Sequence, residues 1–379
     1  MNRIAPRAGL LAALLGASAG AVSALDPMVA PTQYGRRVWT TEQGLPQNTI
    51  RAIVQARDGY LWLGTQEGLV RFDGIRFSVF DEKNTPAIKD RYVLSLHEDH
   101  VGTLWIGTRG GGLVRYRDGA FSRFDASSGL PNDVIRCIHE DRSGRLWVGT
   151  DGGVVRMEDD HFVVPPGLNT RSFAVMAITE ADGVLWLATD GDGLLRVGDA
   201  VEKYGQEQGL SNNHVRALSA GRDGSLWIGT RAGLDRWKGG QLTRQSPPGA
   251  PWEAIGAIVE DRDGNLWVGT RGQGLARLTS GQRRTVHPPD GLTGDVVFAL
   301  FEDREGSLWI GTDGAGLSRL QSVKVVSFGK AEGLAHDMLL PITEDRQGNV
   351  WMGSYGGGST ASTTGSSAPS PPRMACPAT

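Results

Sequence analysis

Charged side chains recur at one position of this chain, directly after a repeated threonine. The residues at this position are Gln66, Arg109, Asp151, Asp190, Arg231, Arg271 and Asp313. Carboxylate and guanidinium groups can hold a polar ligand through directional, charge-assisted hydrogen bonds. If the fold gathers the six charged members into a ring, they would form a ligand-binding site at one entrance of a central channel. The alternative is that they are ordinary polar turn residues, as surface turns commonly are.

Patterns for catalysis or metal binding are weak by comparison. The histidines are dispersed, and no cysteine joins them at a metal-ligand spacing. They are His97, His100, His139, His161, His214, His287 and His336. The run Asp190-Gly-Asp-Gly193 resembles the start of a calcium loop but lacks the further oxygen ligands. We therefore predict no catalytic residue, no metal and no cofactor.

The elements that must position the charged residues come from an internal repeat. Each copy of the repeat has a tryptophan three positions before the threonine, or before a serine in the last copy. These residues are Trp62, Trp105, Trp147, Trp186, Trp227, Trp267, Trp309 and Trp351. Successive tryptophans are 39 to 43 residues apart, a period typical of propeller arrays. The sequence thus predicts an all-β fold, a β-propeller of four-stranded blades.

The sixth copy shows how one repeat divides into strands. Residues 254–260 form a short β-branched strand A, and 261–265 form a polar turn with glycine at its tip. Strand B covers 266–270 and strand C covers 275–278, while an outer strand D ends near His287. The predicted order in each blade is therefore A, B, C and D.

Alternation along strand B assigns the tryptophans a structural role. Successive side chains point to opposite faces, so Trp105 and Gly107 share one face while Leu104 and Ile106 share the other. We expect each indole to bury about 200 Å² between neighbouring blades. Gly107 should leave room for a side chain of the adjacent blade.

The residues before the first repeat predict how the ring closes. Tyr34–Trp39 precedes Gly44 as Phe121–Phe124 precedes Gly129, so it is an outer strand D without a blade of its own. It should complete the last blade of a propeller domain covering 34–328. Seven blades are favoured, with the eighth repeat starting a second propeller, and eight blades are the alternative.

Composition and the chain start narrow the functional class. A net charge of -3 and a pI near 6.2 do not fit a nucleic-acid-binding footprint. Arg3 and Arg7 precede an apolar run and a small-residue cleavage pattern that ends at Ala24. Residues 1–24 therefore read as a signal peptide, and the protein is predicted to be periplasmic. Cys137 and Cys376 do not suggest a disulfide framework.

The last repeat breaks off. Residues 329–358 predict an incomplete further blade with strands A and B only, followed by a Ser/Pro-rich tail over 359–379. One interpretation is a disordered linker. The other is out-of-frame translation, because a synonymous coding of this stretch, read with a shift of one nucleotide, restores the repeat pattern. On that interpretation the parent protein is longer than this sequence, and the truncation is either biological or a sequencing error.

The repeats resemble the two-component-regulator propeller family, the extracytoplasmic sensor portion of bacterial signalling proteins. The resemblance rests on Gly-Leu-Pro/Ser before strand A, Glu-Asp-x-x-Gly-x-Leu-Trp-Ile/Val-Gly-Thr through strand B, and Gly-Leu-x-Arg in strand C, over residues 34–358. Departures are Ala188 for glycine, Ser354 for threonine, and no Gly-Leu before strand A in the second and sixth repeats.

The resemblance implies a sensor propeller whose parent carries a transmembrane helix and a histidine kinase or diguanylate cyclase, none of which is present in this sequence. The expected partner is a small molecule or an oligosaccharide, with no nucleic acid, membrane contact only through the missing downstream segments, and homodimerisation in the parent receptor. We expect no enzymatic activity. The alternatives are a protein-docking scaffold and a propeller-fold hydrolase or lyase.

Overall fold

The computed structural model describes residues 25–26, 29, 31–168, 173–245, 252–279, 282–286, 292–323, 338–346, 350–354, 358–362 and 373–375. Apart from four single turns of 3-10 helix, the regular structure of these residues is entirely β. The predicted signal peptide, residues 1–24, and Cys376 lie outside the described residues. No helix in the described part of the chain is both long and apolar enough to cross a membrane.

Seven four-stranded antiparallel sheets form the blades. Blade 1 comprises β2 Ile50–Gln55, β3 Leu61–Thr65, β4 Gly68–Phe72 and β5 Phe77–Phe80. Blade 2 comprises β6 Val93–Glu98, β7 Leu104–Thr108, β8 Leu113–Arg117 and β9 Ala120–Phe124. Blade 3 comprises β10 Ile135–Glu140, β11 Leu146–Thr150, β12 Gly153–Glu158 and β13 His161–Val163. Blade 4 comprises β14 Val175–Ala181, β15 Val184–Thr189, β16 Leu194–Val197 and β17 Val201–Tyr204. Blade 5 comprises β18 Val215–Ala220, β19 Leu226–Thr230, β20 Gly233–Lys238 and β21 Gln241–Arg244. Blade 6 comprises β22 Ile255–Glu260, β23 Leu266–Thr270, β24 Leu275–Thr279 and β25 Gln282–Val286. Blade 7 comprises β26 Val297–Glu302, β27 Leu308–Thr312, β28 Leu317–Gln321 and the N-terminal β1 Gly35–Trp39.

The N-terminal strand closes the ring, as predicted. It pairs antiparallel with β28 of blade 7, with Val38 opposite Ser318 and Trp39 opposite Leu317. Blade 1 then packs against blade 7 through β2 and β26. The propeller therefore has seven blades, and its first and last segments meet in one sheet.

Neighbouring blades are held together by the tryptophans of strand B. Trp105 of blade 2 lies in one hydrophobic cluster with Leu146 and Val148 of blade 3. The same arrangement repeats around the ring, and it closes where Trp309 of blade 7 packs with Leu61 of blade 1. Each ring indole therefore contributes to the packing between two neighbouring blades.

In six of the seven blades, the strand B position next to the following blade is a glycine that lies in close contact with it. A Cβ atom at Gly107 would lie 2.7 Å from Cγ2 of Ile135 in the next blade, a distance at which real side chains clash. The predicted need for a small residue is thus confirmed. Ala188 takes this position in blade 4, where it is fully buried.

The acidic residue of the A–B turn is structural. In blade 3 the indole Nε1 of Trp147 donates to Oδ2 of Asp141 at 2.8 Å. The same carboxylate accepts backbone N–H groups of Ser143 and Arg145 within its own turn. One side chain therefore fixes both the turn and the orientation of the indole that bridges to the next blade.

The eighth repeat forms a separate four-stranded sheet beyond the ring. Its strands are β29 Leu339–Glu344, β30 Val350–Ser354, β31 Gly358–Ser362 and β32 Arg373–Ala375. The expectation that this repeat has strands A and B only was therefore wrong. The physical reason is that strand pairing uses backbone groups, so the open edge of a strand can pair with a segment that lacks the usual side chains. The out-of-frame interpretation of residues 359–379 stays a prediction.

Candidate functional site

A buried threonine shapes each turn that carries a predicted site residue. The hydroxyl of Thr108 donates to the carbonyl of Gly112 at 2.8 Å, and Thr270 does the same to Gly274 at 2.9 Å. All seven ring threonines are fully buried and make the equivalent bond. The residue after the threonine is thereby held at the rim where strand B ends and strand A begins.

Strand A contributes a second ring of side chains at this rim. In every blade of the ring the A–B ladder shifts register after the first residue of strand A, which leaves the second residue outside the regular pairing. A β-bulge of this kind re-aims its side chain. The bulged residues are Arg51, Leu94, Arg136, Met176, Arg216, Gly256 and Phe298.

Six of these seven bulge residues line a cavity of about 130 Å³ in the centre of the propeller, and the seventh, Arg216, interacts electrostatically with Arg51 and Arg136 of the group. We call this rim, with its bulge residues and turn residues, the channel mouth. The bulge ring was missed in the sequence analysis. The signal for it in the sequence is that the apolar residues at the start of strand A are three positions apart instead of two, as in Ile135 and Ile138 or Ile255 and Ile258.

Arg271 joins this cavity because the neighbouring bulge position has no side chain. A Cβ atom at Gly256 would lie 2.2 Å from the backbone oxygen of Val297, so only glycine fits there. The same Cβ would lie 3.6 Å from Cγ of Arg271. The stem of this arginine therefore runs beside the position that a larger residue at 256 would take, and Arg271 lines the cavity.

The predicted aspartates of the channel mouth are engaged with protein groups. Asp151 forms a two-point ion pair with Arg136, with N–O distances of 2.6 and 2.9 Å. Asp313 accepts from the hydroxyl of Thr49 at 3.1 Å, a contact between blades 7 and 1. These carboxylates thus organise the rim.

Asp190 also bridges blades. Its Oδ1 lies 2.6 Å from Nδ1 of His214 and 3.5 Å from a guanidinium nitrogen of Arg231. Burial opposes ionisation of this carboxyl, but the hydrogen bond from His214 and the nearby arginines bring its pKa below the ordinary value. Arg231 is therefore partly satisfied by Asp190, although its side chain remains about half exposed.

Three other arginines of the channel mouth differ in this respect. Among the described residues, the guanidinium groups of Arg51, Arg216 and Arg271 have no hydrogen-bond or ion-pair partner. Burial lowers the pKa of Arg271 to about 10, with the positive charges of Arg216 and Arg51 acting in the same direction against Asp313. Burial likewise lowers the pKa of Arg216, with Arg231, Arg136 and Arg51 acting in the same direction against Asp190. The mouth is thus electropositive, with mutually repelling cations.

Aromatic rings flank these cations. The guanidinium carbons of Arg51 and Arg271 lie 4.0 and 4.9 Å from the centre of the Phe298 ring. Arg109 lies over Tyr92 at 5.2 Å, and the Tyr92 hydroxyl accepts from Gln66 of the preceding blade at 3.2 Å. Contacts of this type are attractive but do not neutralise charge.

Metal binding finds no support in the described ranges, where no group of three or more histidine, cysteine, aspartate or glutamate side chains is placed to hold an ion. Cys137 is a free, half-buried thiol, and burial raises its pKa to about 12. It is packed as a small apolar side chain in the interface between blades 3 and 4.

Seven four-stranded blades around a polar channel mouth define a β-propeller, and the sequence specifies which kind. It matches the two component regulator propeller family at residues 44–67, 87–110, 129–152, 209–232, 249–272 and 291–314. The chain therefore belongs to the two component regulator propeller family, and the resemblance seen in its motifs is confirmed. No curated protein matches the sequence.

Solved structures agree on the fold. The extracellular domain of a putative hybrid two component system from B. thetaiotaomicron superposes with a TM-score of 0.68 at 24% identity, covering 87% of this chain and 53% of that one. The chain thus spans about half the length of that extracellular domain. A catalytically inactive virginiamycin B lyase from Staphylococcus aureus, solved with quinupristin, gives 0.62 at 17% identity, covering 77% of this chain and 99% of that one. PorZ, a surface component of the type-IX secretion system of Porphyromonas gingivalis, gives 0.58 at 17% identity, covering 80% and 50%.

Proposed function

We propose that this propeller is the extracytoplasmic, periplasmic ligand sensor of a two-component or cyclic-di-GMP signalling protein, and that its ligand binds at the channel mouth. The observation that carries the proposal is the set of three guanidinium groups, on Arg51, Arg216 and Arg271, for which the described residues provide no hydrogen-bonded or ion-paired partner. A folded protein gains no stability from cations held close together and partly desolvated. Such an arrangement fits a site that a ligand completes.

The family and the shape of the rim support the same assignment. Family membership indicates a role in signal transduction, and a structural neighbour is an extracellular domain of a two component system. Recognition residues are typically carried on loops that a rigid scaffold positions. The turns at the channel mouth fit this description, because buried threonines and inter-blade bonds hold them.

The experiment is a thermal-shift and calorimetric screen of the full chain against small metabolites and neutral and acidic oligosaccharides. Any ligand found is then tested on Arg271→Ala, and on Arg117→Ala as a matched control from the end of strand C, at the opposite rim. We expect binding to weaken in Arg271→Ala and to persist in Arg117→Ala.

Two results would count against the proposal. A ligand that binds both variants as tightly as the wild type would place the site elsewhere. A chain that binds no small molecule, but retains a partner protein through the channel mouth, would make the propeller a docking scaffold instead of a ligand sensor.

A further inference from the structure

We propose that the channel mouth binds a small organic polycarboxylate, with its carboxylates on Arg51, Arg216 and Arg271 and its carbon skeleton against Phe298. This inference rests on the proposed sensor function and specifies the ligand class. It assigns binding to strand A bulge residues that the sequence analysis did not single out.

The charge balance at the mouth indicates an anion. The nearby carboxylates already have partners, since Asp151 is paired with Arg136, and Asp190 with His214 and Arg231. Asp313 is bonded to a hydroxyl of the next blade. The three remaining guanidinium groups therefore have no ion-pair partner among the described residues, and Asp190 and Asp313 act on Arg216 and Arg271 only at longer range.

The shape and chemistry of the ring favour carboxylates on a carbon skeleton. Guanidinium groups hold carboxylates through two parallel N–H···O bonds, which suits several separate arginines around one cavity. Between the arginines, the bulge ring presents the apolar side chains of Leu94, Met176 and Phe298. An inorganic anion offers no apolar surface to cover these side chains, whereas an organic acid does.

The positions of the arginines are set by the backbone, so the site is preorganised. Arg51 and Arg216 sit on β-bulges of blades 1 and 5, and Arg271 is placed by the rim turn of blade 6 beside Gly256. Burial and the charges of neighbouring arginines lower the pKa of both Arg216 and Arg271, as expected for cations without an ion-pair partner. The negative charges of a bound polycarboxylate would offset the repulsion between these arginines.

The test uses the full chain, with propane-1,2,3-tricarboxylate as the probe and its trimethyl ester as the neutral match. We expect the triacid to bind and to raise the melting midpoint, while the ester does neither. Arg216→Gln and Arg271→Gln should each weaken triacid binding roughly tenfold, the effect of losing one charge-assisted contact. Arg117→Gln, at the opposite rim, should leave binding unchanged.

A second readout does not depend on the choice of ligand. Without ligand and at low ionic strength, Arg216→Gln should melt at a higher temperature than the wild type, because one repelling charge is removed. At high salt the difference should shrink, since screening weakens the repulsion. A structural arginine would give the opposite sign, and Arg271→Gln provides the same comparison if Arg216→Gln does not fold.

Several outcomes would overturn the inference. Equal binding of triacid and ester, unchanged triacid binding in both arginine variants, or lower melting of both at low salt would each do so. Inorganic phosphate binding as tightly as every di-, tri- and tetracarboxylate tested would show a plain anion site. If a neutral oligosaccharide binds through Arg271 and no carboxylate does, the ligand class is wrong while the sensor function stands.

Discussion

The indole of Trp39 stacks on the indole of Trp309, with ring centres 5.3 Å apart and planes inclined by 23°. Trp39 comes from the N-terminal strand and Trp309 from the last repeat of the ring. The rings of Trp39 and Phe72 of blade 1 also meet edge-to-face, with their centres 5.4 Å apart. One residue thus joins the two ends of the ring to the interface between blades 7 and 1.

Replacing Trp39 should weaken this closure. We expect Trp39→Ala to lower the free energy of unfolding by about 3–5 kcal/mol, as aromatic truncations in cores do. Arg36→Ala, an exposed position on the same strand, should stay within about 0.5 kcal/mol of the wild type. Chemical denaturation of both variants measures the difference, and similar losses would mean that the strand itself, not the stack, closes the ring.

The blade tryptophans should differ in importance according to their burial. Trp267 is fully buried, whereas Trp227 is only partly buried. Trp267→Ala should therefore destabilise the protein more than Trp227→Ala, which itself should cost several kcal/mol. The rim variant Arg231→Ala should change stability by no more than about 0.5 kcal/mol. Thermal melts of the three variants measure these losses. If Arg231→Ala lost the most stability, our assignment of the tryptophans to the blade interfaces and of Arg231 to the rim would be wrong.

Glu260 should be unusually important among the surface carboxylates. Gly221 replaces the turn aspartate of blade 5, so Trp227 donates instead to Glu260 of blade 6 at 3.1 Å. Glu260→Ala leaves that indole N–H without its acceptor, and we expect a loss of about 1–3 kcal/mol. Urea denaturation against the exposed control Glu207→Ala tests this, and equal midpoints for the two would show that the bond contributes nothing.

The strand B glycine should not tolerate even a methyl group without rearrangement. A Cβ atom at Gly269 would lie 2.4 Å from Cγ1 of Val297 in blade 7. We expect Gly269→Ala to cost about 1–3 kcal/mol from overpacking. The converse change Ala188→Gly, in blade 4, should cost at most about 1 kcal/mol. Calorimetric melts decide the matter, and a stabilised Gly269→Ala protein would contradict the close contact.

Two partly buried histidines should make the fold sensitive to mild acid. The ring centres of His97 and His139 lie 6.5 Å apart at the interface of blades 2 and 3. Burial, followed by the charge of His97, lowers the pKa of His139 from 6.5 to about 4. Between these values the unfolded chain binds a proton that the folded chain does not, so stability falls as pH falls, by up to about 1.4 kcal/mol for each pH unit.

The variant His139→Val tests this dependence, because blades 1 and 6 carry valine at the same position. Its stability should decline less steeply between pH 6.5 and 4 than that of the wild type. His161→Gln, at an exposed site, should leave the slope unchanged. Parallel slopes for His139→Val and the wild type would show that His139 is not responsible.

Much of the fold could be predicted from local pattern. The regular Leu-Trp-x-Gly-Thr spacing fixed strand B, and alternation assigned Trp105 and Gly107 to the face that meets the next blade. The similarity of Tyr34–Trp39 to an outer strand predicted ring closure by β1. These features were accessible because hydrogen-bonding period, side-chain alternation and turn preferences act over a few neighbouring residues.

The candidate site depended on the tertiary structure. The rim turns were identified from sequence, but a bulge changes which side chain points inward, so Arg51, Arg216 and Phe298 were missed. Whether a rim charge is available also depends on partners far away in sequence. Asp190 is engaged by His214, whereas Arg271 has no hydrogen-bonded or ion-paired partner among the described residues and lies beside Gly256. The sequence by itself determined the blade and its repetition, because these follow from short-range geometry. Only the closed ring decided which charges face one another, because that depends on blades brought together by packing.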